Sequence, residues 1–338
     1  MSEFTNVSLT AWHRRGFFAS QTAYVGAALV ILAAIVALVS PAFLTLGNLI
    51  NISKNFSYIA IAALGVTMVI ITAGIDLSVG SVMALVAIVA TLTLQYLSTT
   101  PVAAVPGLAM TLSILIGLGA GALIGLINGY LIAVVELTPF VTTLGMLSIC
   151  RSLSYVVTSG HGVPVTGPDS NLFYALTDGT LLGVPVVLIY LLLLAAAMGL
   201  FLHHTATGRY VFAIGGNERA AAMTGVPVAR VKMGIYMMSS TLAGFSGILM
   251  AGWLGSVPAN LAVGYELRII AASVIGGANL AGGVGGPTGS IIGAALIEVI
   301  RNGLVLGRVN AYWQDTLVGV IIVLAVFVDK LRSRRAAR

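Results

Sequence analysis

The chain has 338 residues, of which 59% are hydrophobic and only 8% charged, and its mean hydropathy is +1.06. A water-soluble domain carries about 25% charged residues; so much apolar surface demands lipid as solvent and excludes a soluble fold. The net charge of +6 does not indicate nucleic acid, because the basic residues fall between apolar runs and at the two ends, where they orient membrane spans.

In chain order, residues 1–21 ("MSEFTNVSLTAWHRRGFFASQ") lack an apolar core followed by a small-residue cleavage site and read as a cytoplasmic tail. A span needs about 20 apolar residues. Spans are expected near 22–40, 56–73, 78–97, 106–128, 139–157, 182–203, 233–253, 268–283, 288–306 and 312–328. These form one all-α polytopic membrane domain over 22–328, with a basic tail at 329–338. The 56–97 stretch reads either as two spans or as one span with a re-entrant segment. The run 268–306 is cut by "GGANLAGGVGGPTG", which is too glycine-rich for a plain helix. His13, Arg14 and Arg15, the loop 204–232 and the tail "DKLRSRRAAR" carry the basic residues, so all three are expected inside. The loop before 182 has no Lys or Arg and is expected outside. "GALIGLINGYLI" (121–132) echoes "GAALIEVIRNGLVL" (293–306), as in transporters built from two related halves.

Within this frame the polar residues stand out. Asp76, in "AGIDLSVG", lies between two apolar runs, and an ionisable group at membrane depth usually faces the bundle interior or a water-filled cavity. The glycines around it point to a broken helix, tolerated in a bilayer only where protein or water surrounds it. Ser78 is a candidate cap for the next span. Asp76 is thus either part of a polar pathway or an acceptor for the amides of the break. In the loop 204–232, "NERAAAMTG" reads as a short helix with Asn217 as cap, Glu218 in the first turn and Gly225 as stop. So short a helix requires a partner surface. Glu298 and Arg301 are spaced to pair along a helix.

Several chemistries lack their residues. No lysine is followed by Ser or Thr, so there is no Walker A loop. Cys150 is the sole cysteine, which rules out an intrachain disulfide and a cysteine metal site. His203 and His204 read as residues at a helix C-terminus, and His161 has no ligand-spaced companion.

These stretches resemble the membrane permeases of ribose-type ABC importers, the family that carries monosaccharides and related small polyols. "GIDLSVG" (74–80) matches that family's signature, and "TPFVTTLGM" (138–146) resembles its "PF…TLG" segment. "GRYVFAIGGNERAAAMTGV" (208–226), followed by Lys232 and Tyr236, resembles its cytoplasmic coupling region. "GYELRIIAASVIGGANLAGGVGG" (264–286) resembles its late glycine-rich stretch. One departure is Arg268, where the family commonly has an acid.

The resemblance implies the fold of the vitamin B12-type (type II) importers, with about ten spans, in a bacterial inner membrane with both termini cytoplasmic. It implies a non-catalytic subunit that binds no cofactor itself, with ATP and Mg on a separate ATPase subunit. The implied partners are that ATPase, an extracytoplasmic sugar-binding protein, and a second permease copy or a sister permease. The implied translocation residues are Asp76, Ser78, Phe140, Thr143 and Asn279. The implied ATPase-coupling residues are Arg209, Asn217, Glu218, Arg219, Ala221 and Gly225. Two other classes stand beside this reading. An ion-coupled secondary transporter also has broken helices. An intramembrane aspartyl protease needs a second carboxylate facing Asp76, with Glu136 and Glu298 the candidates.

Overall fold

A computed structural model of the chain describes residues 21–310, together with 313, 316, 317, 319 and 320. The tails 1–21 and 329–338 lie outside the described residues, apart from residue 21, as does most of the span expected at 312–328. The helices run α1 Gln21–Val39, α2 Leu46–Ile71, α3 Val79–Ser98, α4 Leu108–Ala133, α5 Pro139–Thr158 and α6 Ser170–Thr177. They continue with α7 Val186–His204, α8 Ala206–Gly216, α9 Glu218–Met223, α10 Val228–Leu254, α11 Tyr265–Ile275 and α12 Pro287–Leu306. Among the described residues, 8 helices are long and apolar enough to cross a membrane.

Local sequence explains many of the boundaries. Proline opens α5 and α12, where its fixed φ suits the first helical turn and its missing N–H is not needed. Residues at positive φ interrupt the chain after α10 (Gly255, 69°) and before α4 (Gly107, 77°). The 56–97 stretch resolves as two long helices, α2 and α3, separated by a non-helical break at 72–78.

Three helices form the centre. In α2, α3 and α10 most of the apolar stretch is buried, whereas α1 has no buried residue. α10 packs on α2, α3 and α4; α12 packs on α2 and α11, with α1 outside it. The α4–α10 seam is built on glycine. A Cβ on Gly125 would stand 2.7 Å from Met237 Cα, and one on Gly129 would stand 2.6 Å from Met233 Cα. Backbones approach this closely because lipid gives no hydrophobic drive between helices and close packing must hold them instead.

Three expected spans differ. The helix of the span expected at 56–73 begins ten residues earlier, at Leu46. The stretch 268–283 does not cross as a helix. α11 has 11 residues, which at 1.5 Å per residue is about 16 Å, half the hydrocarbon thickness. Beyond it Gly277, Gly282 and Gly283 all take positive φ and the chain loops to α12. The span expected at 182–203 begins instead at Val186, because Leu182 and Gly183 both take positive φ and turn a short hairpin. That hairpin pairs β2 (Thr180–Leu181) with β3 (Val184–Pro185), and a second pairing joins β1 (Val163–Pro164) to β4 (Ser256–Val257). α6, which the sequence reading did not separate from the loop, lies with the β2–β3 hairpin at one end of the bundle. α7 runs from that hairpin to the opposite end, where α8 and α9 follow.

Candidate functional site

The break between α2 and α3 is the polar centre of the bundle. α2 stops where Ala73 takes φ 58°. Asp76 is fully buried. Its Oδ1 accepts from the Ser78 amide (3.0 Å) and the Ser78 hydroxyl (2.6 Å), and its Oδ2 accepts from the Ser239 hydroxyl of α10 (3.1 Å). Ser78 Oγ accepts in turn from Asn128 Nδ2 of α4 (3.1 Å). The neighbouring Ile75 carbonyl accepts from the Tyr236 hydroxyl of α10 (3.3 Å) and, at 3.5 Å, from Thr143 of α5. Three helices, α4, α5 and α10, therefore converge on the broken segment and supply the partners its backbone and carboxylate would lack in lipid. The carboxylate also sits at the positive end of α3, which favours its charge.

The structure brings Asp76, Ser78 and Thr143 together and leaves two other sequence candidates apart. Phe140 is exposed in the first turn of α5. Asn279 is exposed in the glycine loop after α11, where its Oδ1 accepts from the Ala281 amide (2.9 Å). That loop is tied elsewhere: Gly283 N donates to the Ile71 carbonyl at the end of α2 (2.9 Å). Ser78 does not cap α3 with its side chain. Its hydroxyl is committed to Asp76, which also accepts from the Ser78 amide itself.

Sequence reasoning missed Asn128 and Ser239. A lone amide inside "GLINGYLI" was the available signal for the first, since polar residues in spans rarely face lipid. Ser239 lies among small residues on α10 and carries no such mark. Arg151, also missed, reaches from α5 to the Leu261 carbonyl (2.7 Å) and ties the segment before α11. Glu298 is buried and held by Arg301 through contacts of 2.8 and 2.9 Å, while Asp76 is bonded by serines, so the paired carboxylates of an aspartyl protease are not assembled. The Arg268 guanidinium lies 5.2 Å from the Tyr265 ring centroid, a cation–π distance.

The second candidate region is at the other end of α7. Thr205 caps α8 by accepting from Gly208 N (2.9 Å). Asn217 leaves helical geometry and caps α9, its Oδ1 accepting from Ala220 N (3.0 Å). Gly225, at φ 87°, follows α9. Ala221 is buried beneath the short helix, while Arg209, Asn217, Glu218 and Arg219 are exposed. Glu218 pairs with Lys232 in the first turns of α10 (2.6 Å). Met223, which the sequence gave no reason to single out, is 89% exposed, an apolar side chain presented on an otherwise polar end.

Comparisons with known proteins agree with this architecture. The family model described as "Branched-chain amino acid transport system / permease component" matches residues 48–326. The chain is 39% identical to the ribose import permease protein RbsC of Escherichia coli (strain K12), over 90% of this chain and 92% of that protein. It is 39% identical to the galactose/methyl galactoside import permease protein MglC of the same organism, over 91% and 93%. It is 38% identical to a probable ABC transporter permease protein, y4mJ, of Sinorhizobium fredii, over 93% and 90%. No solved structure matches the chain. With a multi-pass helical bundle, a buried polar break at its centre and a family model spanning most of its length, the chain belongs to the branched-chain amino acid transport system permease-component family.

Proposed function

We propose that this chain is the membrane permease subunit of an ATP-driven importer that carries a monosaccharide or related small polyol into a bacterial cell. The observation that carries the reading is similarity over nine-tenths of the chain to ribose and galactose import permeases of matching length. In this reading two permease chains, identical or sister, enclose the path with a type II arrangement of about ten spans each. α5 contributes its exposed face, where Gly145, Ser148 and Ser152 are small residues set among apolar ones such as Leu144 and Ile149. Phe140 and Thr143 stand at the start of that helix, and Asp76 with Ser78 holds the break behind it. Asn279 shapes the loop beneath.

The end that carries α8 and α9 faces the cytoplasm, as its basic residues favour, and both termini lie on that side. A separate ATPase subunit, holding ATP and Mg, docks on 204–232 through Arg209, Asn217, Glu218, Arg219, Ala221 and Gly225. A binding protein delivers the sugar at the opposite face. This chain works without a cofactor of its own.

The test is copurification followed by reconstitution. Extraction of the tagged chain in mild detergent is expected to retain an ATPase subunit with a Walker A loop. Proteoliposomes holding the chain alone are expected to take up no sugar until the ATPase, the binding protein and ATP are added. Uptake by the chain alone on an ion gradient would overturn the proposal in favour of a secondary transporter.

A further inference from the structure

The segment 168–185 turns its acids inward and its leucines outward. Asp169, 7% exposed, receives the amides of Gly107 (2.9 Å) and Met110 (3.2 Å) at the start of α4. Asp178, just past α6, is bonded by Lys54 Nζ (2.7 Å). On α6 itself Phe173 and Thr177 are the buried side chains. Leu172, Leu176 and Leu181 are exposed, and Leu182 is 97% exposed. A loop bathed in water would show the opposite distribution, with charges outside and leucines packed.

The hairpin adds a second anomaly. Its register pairs Leu181 with Val184 and leaves Leu182–Gly183 as a two-residue turn, with φ 53° and 81°. Turns with two positive φ angles favour Asn-Gly. A leucine at the first position bears a backbone cost while its side chain touches almost nothing of the protein.

Apolar surroundings account for the first anomaly and, by taking up the Leu182 side chain, offset the backbone cost of the second. α7 starts at Val186 and has 19 residues, about 28 Å of helix against about 30 Å of hydrocarbon. The hairpin is therefore fixed at the boundary of the bilayer. The hairpin leads directly into α7, where Leu192, Leu193 and Leu200 are exposed as well.

We propose that α6 and the β2–β3 hairpin form an interfacial anchor, with Leu172, Leu176, Leu181 and Leu182 set in the headgroup–acyl boundary of the leaflet at that end. Continuity with α7 selects lipid over a protein partner as the occupant. The anchor stands apart from the transport reading, since it depends only on where the segment sits relative to the bilayer.

Cys150 is the only cysteine and is buried, so a nitroxide label can be directed to Leu182→Cys in the otherwise native full chain. The chain is reconstituted, with any subunits that copurify, in vesicles of phosphatidylethanolamine and phosphatidylglycerol. Collision with oxygen, which concentrates in lipid, is expected to exceed collision with a water-soluble nickel complex several-fold. Dominant nickel access overturns the anchor and returns the hairpin to water. A label shielded from both reagents also overturns it and assigns the leucines to a protein contact. Leu181→Cys carries the same test on the adjoining strand should Leu182→Cys not fold.

Discussion

Ser239 and Ser240 are adjacent, both fully buried on α10, and opposite in consequence. Ser239 donates to Asp76 Oδ2 (3.1 Å), whereas the Ser240 hydroxyl has no hydrogen-bond partner. Ser239→Ala leaves a buried carboxylate oxygen short of a donor and is expected to cost about 1–3 kcal/mol. Ser240→Ala removes nothing that is bonded and is expected to stay within about 0.5 kcal/mol of the parent. Thermal unfolding in detergent reads both; equal losses would mean that the carboxylate does not depend on Ser239. Asp76→Asn keeps the shape and an acceptor for Ser78 but removes the charge. The expected result is a folded chain whose sugar uptake falls by about tenfold, equivalent to about 1.4 kcal/mol in the transport barrier. Unchanged uptake would leave Asp76 as a structural acceptor only. The presence of a special carboxylate was legible in the sequence because a charge inside an apolar run is costly. Its partners on α4 and α10 were not, since serine and asparagine in a span show their role only when a distant segment is folded against them.

At the scale of elements, glycine has two uses that the sequence alone does not separate. In α4, a Cβ on Gly129 meets Met233 Cα at 2.6 Å, whereas one on Gly119 meets nothing within 4 Å. Gly129→Ala must push α10 away and is expected to cost about 1–3 kcal/mol. Gly119→Ala is expected to gain about 0.5–1 kcal/mol from the reduced freedom of the unfolded chain and better helix propensity. Denaturation of the two variants side by side checks the assignment of faces. Between α11 and α12 glycine does something else: hydropathy averaged over 268–283 promises a span, but positive φ at Gly277, Gly282 and Gly283 ends the helix early. α9 was the more legible element. Asn, Glu, an alanine interior and Gly spell a capped turn of helix by local chemistry, and the chain folds there as its local chemistry directs. Asn217→Ala is expected to weaken the cap by about 1 kcal/mol. Arg219→Glu together with Met223→Asp is expected to leave the bundle intact and to reduce recovery of the ATPase in copurification. Glu218→Ala is a poorer probe, because its effect is mixed with loss of the Lys232 contact.

For the whole molecule, composition decided the solvent and the motifs suggested the class, but the count of crossings depended on structure. Half-length α11 with its loop takes the place of one expected full helix. The interfacial region around α6 was read only as a loop without basic residues, because the contacts that turn Asp169 and Asp178 inward come from α4 and α2, remote in sequence. The sidedness of the bundle is testable as a unit. A fluorescent protein inserted near Gly216 is expected to glow, as cytoplasmic fusions do, and alkaline phosphatase inserted near Gly160 is expected to be active, as only exported fusions are. The reverse pattern would invert the orientation assigned from basic residues.

α10 carries two attachments on one continuous helix. Lys232 holds α9 through Glu218 (2.6 Å), and Ser239 holds the carboxylate of the break (3.1 Å). Seven residues separate them, about 10 Å of axial rise, and the glycine seam with α4 leaves that stretch no slack in which to bend aside. α10 is in mechanical terms a short push-rod. Whatever displaces α9 is delivered, two helical turns later, to the place between α2 and α3 where the backbone is already broken.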